Sequence, residues 1–186
     1  MRFKSPYIVF SAPSGGGKTT IVKKLHEKYP ETVISVSATT RPKRVNEQDG
    51  VDYYFLDKET FEQYIKQGKF LEYELVHGNY YGTLKEVVDR HIDEGKVVLF
   101  DIDVNGALSI KKHYPTAILI FLKPPSKQAL IERLKKRKTE TEASIQKRLN
   151  RLPYEYKQAS KFDYIVVNDD LDESIRSIEK YILKND

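Results

Sequence analysis

The chain has 186 residues, 39% hydrophobic and 32% charged, with a formal net charge of +5 and no cysteine. That length bounds it to one folding unit with a sizeable core and room for small subdomains. The missing cysteines exclude disulfide frameworks, thiolate metal sites and cysteine nucleophiles.

The first apolar run, Tyr7-Ile8-Val9-Phe10, is β-favouring and too short for a signal peptide or a membrane span, so a cytoplasmic enzyme is expected. It leads into Ser11-Ala12-Pro13-Ser14-Gly15-Gly16-Gly17-Lys18-Thr19-Thr20, and then into Ile21, Val22, Leu25 and Tyr29 at helical spacing. Strand, glycine-rich turn and helix are the context of a phosphate-binding loop. The glycines would let backbone N–H groups of the loop Ala12 to Thr20, Pro13 excepted, curl around phosphate oxygens at a helix N-terminus. Lys18 would reach the β- and γ-phosphates of a nucleoside triphosphate, and the Thr19 hydroxyl would hold Mg²⁺. Ala12 stands where the strict G-x-x-x-x-G-K-[ST] pattern has its first glycine.

Val33 to Ser37 alternates enough for a half-buried strand and runs into Ala38-Thr39-Thr40-Arg41-Pro42-Lys43-Arg44. Tyr53-Tyr54-Phe55 reads as a strand, Asp57 as the cap of a short helix closed by Gly68, and Phe70 to Val76 as another strand. Gly78-Asn79-Tyr80-Tyr81-Gly82 reads as a turn. The texture of residues 33 to 82 differs from what precedes it and suggests an inserted substrate-binding subdomain. A helix from Leu84 to Glu94 follows, then Val97-Val98-Leu99-Phe100, apolar throughout as in a strand buried on both faces. Further along come a helix from Val104 to His113, a buried strand Ala117 to Phe121, helices to Lys138 and from Glu142 to Ser160, a strand Phe162 to Asn168, and a helix Leu171 to Leu183. Strands alternating with helices predict an α/β fold with a doubly wound parallel sheet. Ligands bind such sheets beyond the carboxyl ends of the strands, where the loop, Asp101 and Asn168 all fall.

The positive charge is local. Ten basic residues lie between Lys123 and Arg151 against three acids, which suits a small polyphosphate ligand better than a nucleic acid or a membrane. Arg133 and Arg137, four apart on one helix, and Arg148 on the next could close over a transferring phosphate. Arg41, Arg44, Tyr53 and Tyr81 supply guanidiniums and phenols suited to a monophosphate dianion. Asp101 and Asp103 close a buried strand, where a carboxylate can face Mg²⁺ or substrate; Asp103 serves equally well as a helix N-cap. A carboxylate such as Glu72 can accept from guanine N1–H and its amine, and the Ser37 and Thr83 hydroxyls can donate to O6. Alternation alone leaves Glu72 free to face outward instead.

On these residues, together with Asp101-Ile102-Asp103, Pro124-Pro125-Ser126, Thr139 to Glu142 and Val166-Val167-Asn168-Asp169-Asp170, the chain resembles the guanylate kinases, ATP:GMP phosphotransferases of bacterial type, over nearly its full length. The resemblance implies the phosphate-loop nucleoside monophosphate kinase fold. Its core would be residues 1–32, 83–122 and 161–186, its GMP-binding subdomain 33–82, and its helical lid 123–160. It implies base recognition by Ser37, Glu72, Thr83 and Asp101, and GMP phosphate binding by Arg41, Arg44, Tyr53, Tyr81 and Arg148. ATP would be held by Ala12 to Thr20, Arg133, Arg137 and Asn168, the last at the adenine. Lys18, Arg41, Arg133, Arg137 and Arg148 would be catalytic, and Thr19 would hold Mg²⁺ with Asp101 or Asp103 indirect. This chain departs from the usual pattern at Pro42-Lys43-Arg44, at Lys136-Arg137-Lys138 and at Asn105. ATP and GMP (and dGMP) are the implied partners, with oligomeric state left open. A kinase of the same fold for another monophosphate, or a non-catalytic guanylate-kinase-like interaction domain, are the alternatives; the intact Lys18 argues against the second.

Overall fold

The computed structural model describes residues 2–76, 78–136 and 141–184. In chain order the elements are β1 (Tyr7–Ser11), α1 (Lys18–Lys28), β2 (Thr32–Ile34), β3 (Ala38–Thr39), β4 (Tyr54–Phe55), α2 (Lys58–Lys66), β5 (Phe70–Val76) and β6 (Asn79–Leu84). They continue with α3 (Lys85–Asp93), β7 (Val97–Asp101), α4 (Val104–His113), β8 (Ile118–Lys123), α5 (Lys127–Lys135), α6 (Glu142–Ala159), β9 (Tyr164–Val167) and α7 (Leu171–Ile182).

Among the described residues the strands form two sheets. The larger has the order β2-β7-β1-β8-β9 and is parallel at every pairing, as a doubly wound sheet must be. Its two faces follow from the period of two along each strand. Ile8, Phe10, Val97, Leu99, Ile120 and Leu122 pack with Ile21, Val22 and Leu25 of α1 and Ile175, Ile178 and Ile182 of α7. Val9, Val98, Phe100 and Leu119 pack on the opposite face with Val88 of α3 and Ala107 and Ile110 of α4. These apolar strands are covered on both sides, which is why they lack polar alternation.

The smaller sheet has the order β4-β3-β6-β5. Its core is aromatic: the Phe61 ring of α2 stacks on Phe70 at 4.2 Å and on Tyr80 at 5.1 Å. Asp57 caps α2 by accepting from Thr60 N–H at 2.8 Å, as its position before the helix predicts.

Two expectations are corrected. Residues 78–82 are not merely a turn, because Asn79–Leu84 is a strand pairing antiparallel with β5 from Val76↔Asn79 to Phe70↔Leu84. Gly82 serves close approach of strands, not chain reversal. A Cβ there would lie 2.8 Å from the Glu72 carbonyl and 2.9 Å from the Phe70 ring. Residues 33–37 are not one strand of the inserted region. Thr32–Ile34 pairs with β7 in the large sheet, Ser35 N–H still donates to Leu99, and only Ala38–Thr39 joins the small sheet. Val33 and Ile34 pack on the core, whereas Ala38 and Thr39 are buried against different partners, and alternation cannot reveal that change of sheet.

Helices α5 and α6 pack through Leu130, Leu134, Ile145, Leu149 and Leu152. Pro153 lies inside α6 and lacks an N–H, so the Leu149 carbonyl loses its intrahelical donor there. Beyond it, Ala159 anchors the helix against Phe121 and Val104. Among the described residues no helix is long and apolar enough to cross a membrane.

Replacing Gly82 by alanine should destabilise the protein by about 1–3 kcal/mol through overpacking between β5 and β6. Urea unfolding would measure this, and an unchanged midpoint would contradict the close approach.

Candidate active site

Strand β1 delivers the chain into the loop, and the Gly16 N–H closes it by donating to the Pro13 carbonyl at 2.8 Å. Gly15 and Gly17 have φ of +88° and +89°, a region that favours glycine. Ala12 is buried against Gly16, where an added Cβ would lie 2.7 Å from that of Ala12, so the pair must stay small. A Cβ at Gly17 would strike the Asn168 amide.

Asn168 explains how the loop is held. Its side chain, on a residue only 6% exposed, donates to the Gly16 carbonyl at 2.8 Å and accepts from Ser174 Oγ at 3.1 Å. Its backbone carbonyl receives Arg133 at 2.8 Å. The amide expected at the adenine is thus committed to the loop, and Arg133 of α5 is tied to the same corner.

Residues Ala12 to Thr20 line a cavity of about 350 Å³. Lys18 is part of that lining, with Nζ 2.9 Å from Asp101 Oδ1 and donating to the Ile102 carbonyl at 3.0 Å. Thr19 Oγ1 donates to Asp101 Oδ2 at 2.7 Å. The register of β1 against β7, Phe10↔Asp101, is what brings this carboxylate beside the loop. Asp103 caps α4, with Oδ1 accepting from Gly106 N–H at 2.8 Å, while its other oxygen is 2.9 Å from Arg151. Arg148 donates to the Ser14 hydroxyl. Arg137, Thr139 and Glu140 lie outside the described residues.

A second cluster forms in the small sheet. Arg41 Nη2 is 2.6 Å from Glu47 Oε1, and the Arg44 backbone N–H donates to Glu47 Oε2 at 2.9 Å. The Glu47 carboxylate raises the Arg41 pKa and is itself held below the usual carboxylate range, first by the Arg41 hydrogen bond. The Arg41 guanidinium lies 5.3 Å from the Tyr53 ring, and Tyr53 meets Tyr81 edge-on at 6.0 Å. Ser37 stands just before β3 and accepts at its carbonyl from Tyr54 N–H. Four of the residues expected at a monophosphate, Arg41, Arg44, Tyr53 and Tyr81, are therefore gathered together.

Glu72 does not face outward. Thr83, only 1% exposed, donates to its Oε1 at 2.5 Å. Burial pushes the Glu72 pKa up to about 7, against the Thr83 hydrogen bond, with Asp103 and then Glu74 adding repulsion. Glu72 and Asp103 line one cavity, and Asp103 and Glu74 also line that of the loop.

Three participants escaped the sequence reading: Glu47, Arg151 and Glu155. Arg148, Arg151 and Glu155 share one face of α6 at spacings of three and four, a signal the sequence did contain. Glu155 is buried, which raises its pKa, with Arg151 opposing that rise. Glu47 lies in an irregular loop, where no periodicity marks it.

The raised Glu72 pKa has a sign that can be tested. The folded protein holds this proton up to about pH 7, whereas an unfolded glutamate releases it near 4.5. Its contribution is complete below pH 4.5 and lost as pH rises through 7. Between pH 5 and 8 the wild type should lose up to about 3 kcal/mol relative to Glu72→Gln in urea unfolding. Parallel curves for the two proteins would contradict the burial of this carboxyl.

The guanylate kinase family model matches residues 4–185. The guanylate kinase of Chlorobium chlorochromatii is 49% identical over 177 residues, 95% of this chain and 93% of that protein. The guanylate kinase of Thermotoga maritima is 46% identical, over 94% of this chain and 84% of its own length. Among solved structures, the guanylate kinase of Anaplasma phagocytophilum superposes with a TM-score of 0.71 at 32% identity, covering 94% of this chain and 82% of that one. A shikimate kinase from Bacteroides thetaiotaomicron, at 16% identity and a TM-score of 0.53, shares the fold alone. With a family match running almost end to end and relatives at 46–49% identity over most of both chains, this chain belongs to the guanylate kinase family.

Proposed function

We propose that the protein transfers the γ-phosphoryl group of ATP to the phosphate of GMP, giving ADP and GDP, with dGMP as a further acceptor. The observation that supports this reading is that the cavity of the loop and the cavity beside Glu72 share Asp103 and Glu74 as lining. The loop and Lys18 serve the donor; Arg41, Arg44, Tyr53 and Tyr81, with the Glu72–Thr83 pair, serve the acceptor. A cytoplasmic setting, where ATP and GMP are available, belongs to the same reading.

An oxygen of the GMP phosphate attacks the γ-phosphorus of ATP, and the bond from that phosphorus to the β–γ bridging oxygen breaks as ADP leaves. The attacking oxygen is already anionic, so no general base is needed. Catalysis then comes from alignment and from compensating charge. Lys18 counters the donor phosphates. Arg133 of α5 and Arg148 of α6 would counter the transferring charge, and Arg137 would join them. Arg41 and Arg44 hold the acceptor phosphate, displacing the Glu47 carboxylate that Arg41 pairs with here. Ser37, Glu72, Thr83 and Asp101 recognise the guanine edge, with the Glu72 carboxylate accepting from N1–H and the exocyclic amine.

Family membership supports Mg-ATP as the donor. The Thr19 hydroxyl beside the Asp101 carboxylate is a hard oxygen pair suited to Mg²⁺. Among the described residues no acidic or histidine group of three or more could hold a metal unaided, which fits an ion held largely by substrate phosphates. Thr19 would hold Mg²⁺, with Asp101 or Asp103 reaching it through water, and the ion would neutralise phosphate charge.

Lys18→Ala should lower GDP formation by at least about a hundredfold while melting within a few degrees of the wild type. A coupled ADP-release assay with a thermal melt checks both. Near-normal turnover in that variant would remove Lys18 from its role.

A further inference from the structure

We propose that Arg151 is a positioning residue for acceptor recognition, docking α6 through Asp103 onto the wall shared by the phosphate cavity and the cavity beside Glu72. This rests on the reading of Glu72 as a base-recognition group.

Asp103 occupies the junction, lining both cavities. Its two oxygens are divided between two tasks: one caps α4 at Gly106, and the other takes the Arg151 guanidinium at 2.9 Å. The cap places it close to Glu72. A Cβ on Gly106 would lie 3.2 Å from Glu72 Oε2 and 3.3 Å from Asp103 Oδ1, so two carboxylates converge on one glycine. Such a pair repels unless a cation compensates. Arg151 supplies that cation from a different element. Its orientation is set from behind, with Nε 3.5 Å from Glu155 Oε1, and Glu155 is buried.

A neighbouring bond has the same direction. Tyr154 Oη donates to Asn105 Oδ1 at 2.6 Å, so α6 grips the first turn of α4 twice. On the same face of α6, Arg148 reaches Ser14 of the phosphate loop. One helix thus touches the donor loop at Arg148 and the acceptor wall at Arg151. Without Arg151, Asp103 would be left to repel Glu72 and α6 would lose its fork onto the wall, which should weaken GMP more than ATP. Lysine can meet Asp103, but it cannot offer the fork that spans Asp103 and Glu155.

The test measures both substrates in the full chain. Arg151→Ala should raise the KM for GMP, and its Kd by calorimetry, about fivefold, with the KM for ATP changing less than about twofold. Arg151→Lys should recover part of the loss. In a double-mutant cycle with Asp103→Asn, which keeps a side-chain oxygen to cap Gly106, the two losses should not add. Unchanged GMP affinity in Arg151→Ala, equal losses for ATP and GMP, or additive losses would each overturn the proposal. A wild type that forms no GDP would bring down the functional reading and this inference together. An active wild type whose GMP affinity ignores Arg151 would overturn this inference alone.

Discussion

The pairing of β1 with β7 sets Phe10 opposite Asp101, and the chemistry of the site depends on that register. It places the end of one strand, which becomes the phosphate loop, beside the end of another, which carries two carboxylates. Lys18 and Thr19 then meet the two oxygens of Asp101 within 3 Å. A slip of one residue would turn Asp101 to the other face of the sheet and remove this partnership. The apolar faces of β1 and β7 prevent the slip, because Ile8, Phe10, Val97 and Leu99 share one core and Val9, Val98 and Phe100 another. Packing far from solvent thus sets the electrostatics at the strand ends.

Around that fixed point, the charges are arranged as counter-ions rather than as acid–base pairs. Lys18 rests against Asp101, Arg41 against Glu47, and Arg151 against Asp103. Each cation is held in place by its carboxylate partner. Of the three, Arg151–Asp103 is the most exposed, and a pair of that kind adds little stability by itself. Glu72 differs, because it is half-buried against the Thr83 hydroxyl, and desolvation there raises its pKa.

Much of this was legible in the sequence for definite reasons. The phosphate loop, the helix caps at Asp57 and Asp103, and the doubly wound core each have a local signature of spacing or residue type. What was hidden depends on partners distant in the chain. Gly82 looks like a turn residue until β5 is seen passing too close for a Cβ. Val33 to Ser37 reads as one strand running into Ala38, yet Thr32–Ile34 and Ala38–Thr39 belong to two sheets. Asn168 reads as a group at a strand end, yet its amide is committed to Gly16, more than a hundred residues away in sequence. Arg151 looks like any arginine on a basic helix until Asp103 is found opposite it. The family resemblance supplied expected roles for Glu72 and Thr83, and packing brings the two into contact.

Selectivity for guanine over other bases is where the small sheet must justify its place beside the phosphate loop. Initial rates of ADP release with GMP, AMP, CMP and UMP as acceptors measure it most directly. The expected result is a kcat/KM for GMP that exceeds the others by about a thousandfold or more, because a half-buried carboxylate left unpaired rejects a base lacking the matching donors. Comparable rates with AMP would contradict a guanine-reading Glu72 and, with it, the assignment of the small sheet as the acceptor site.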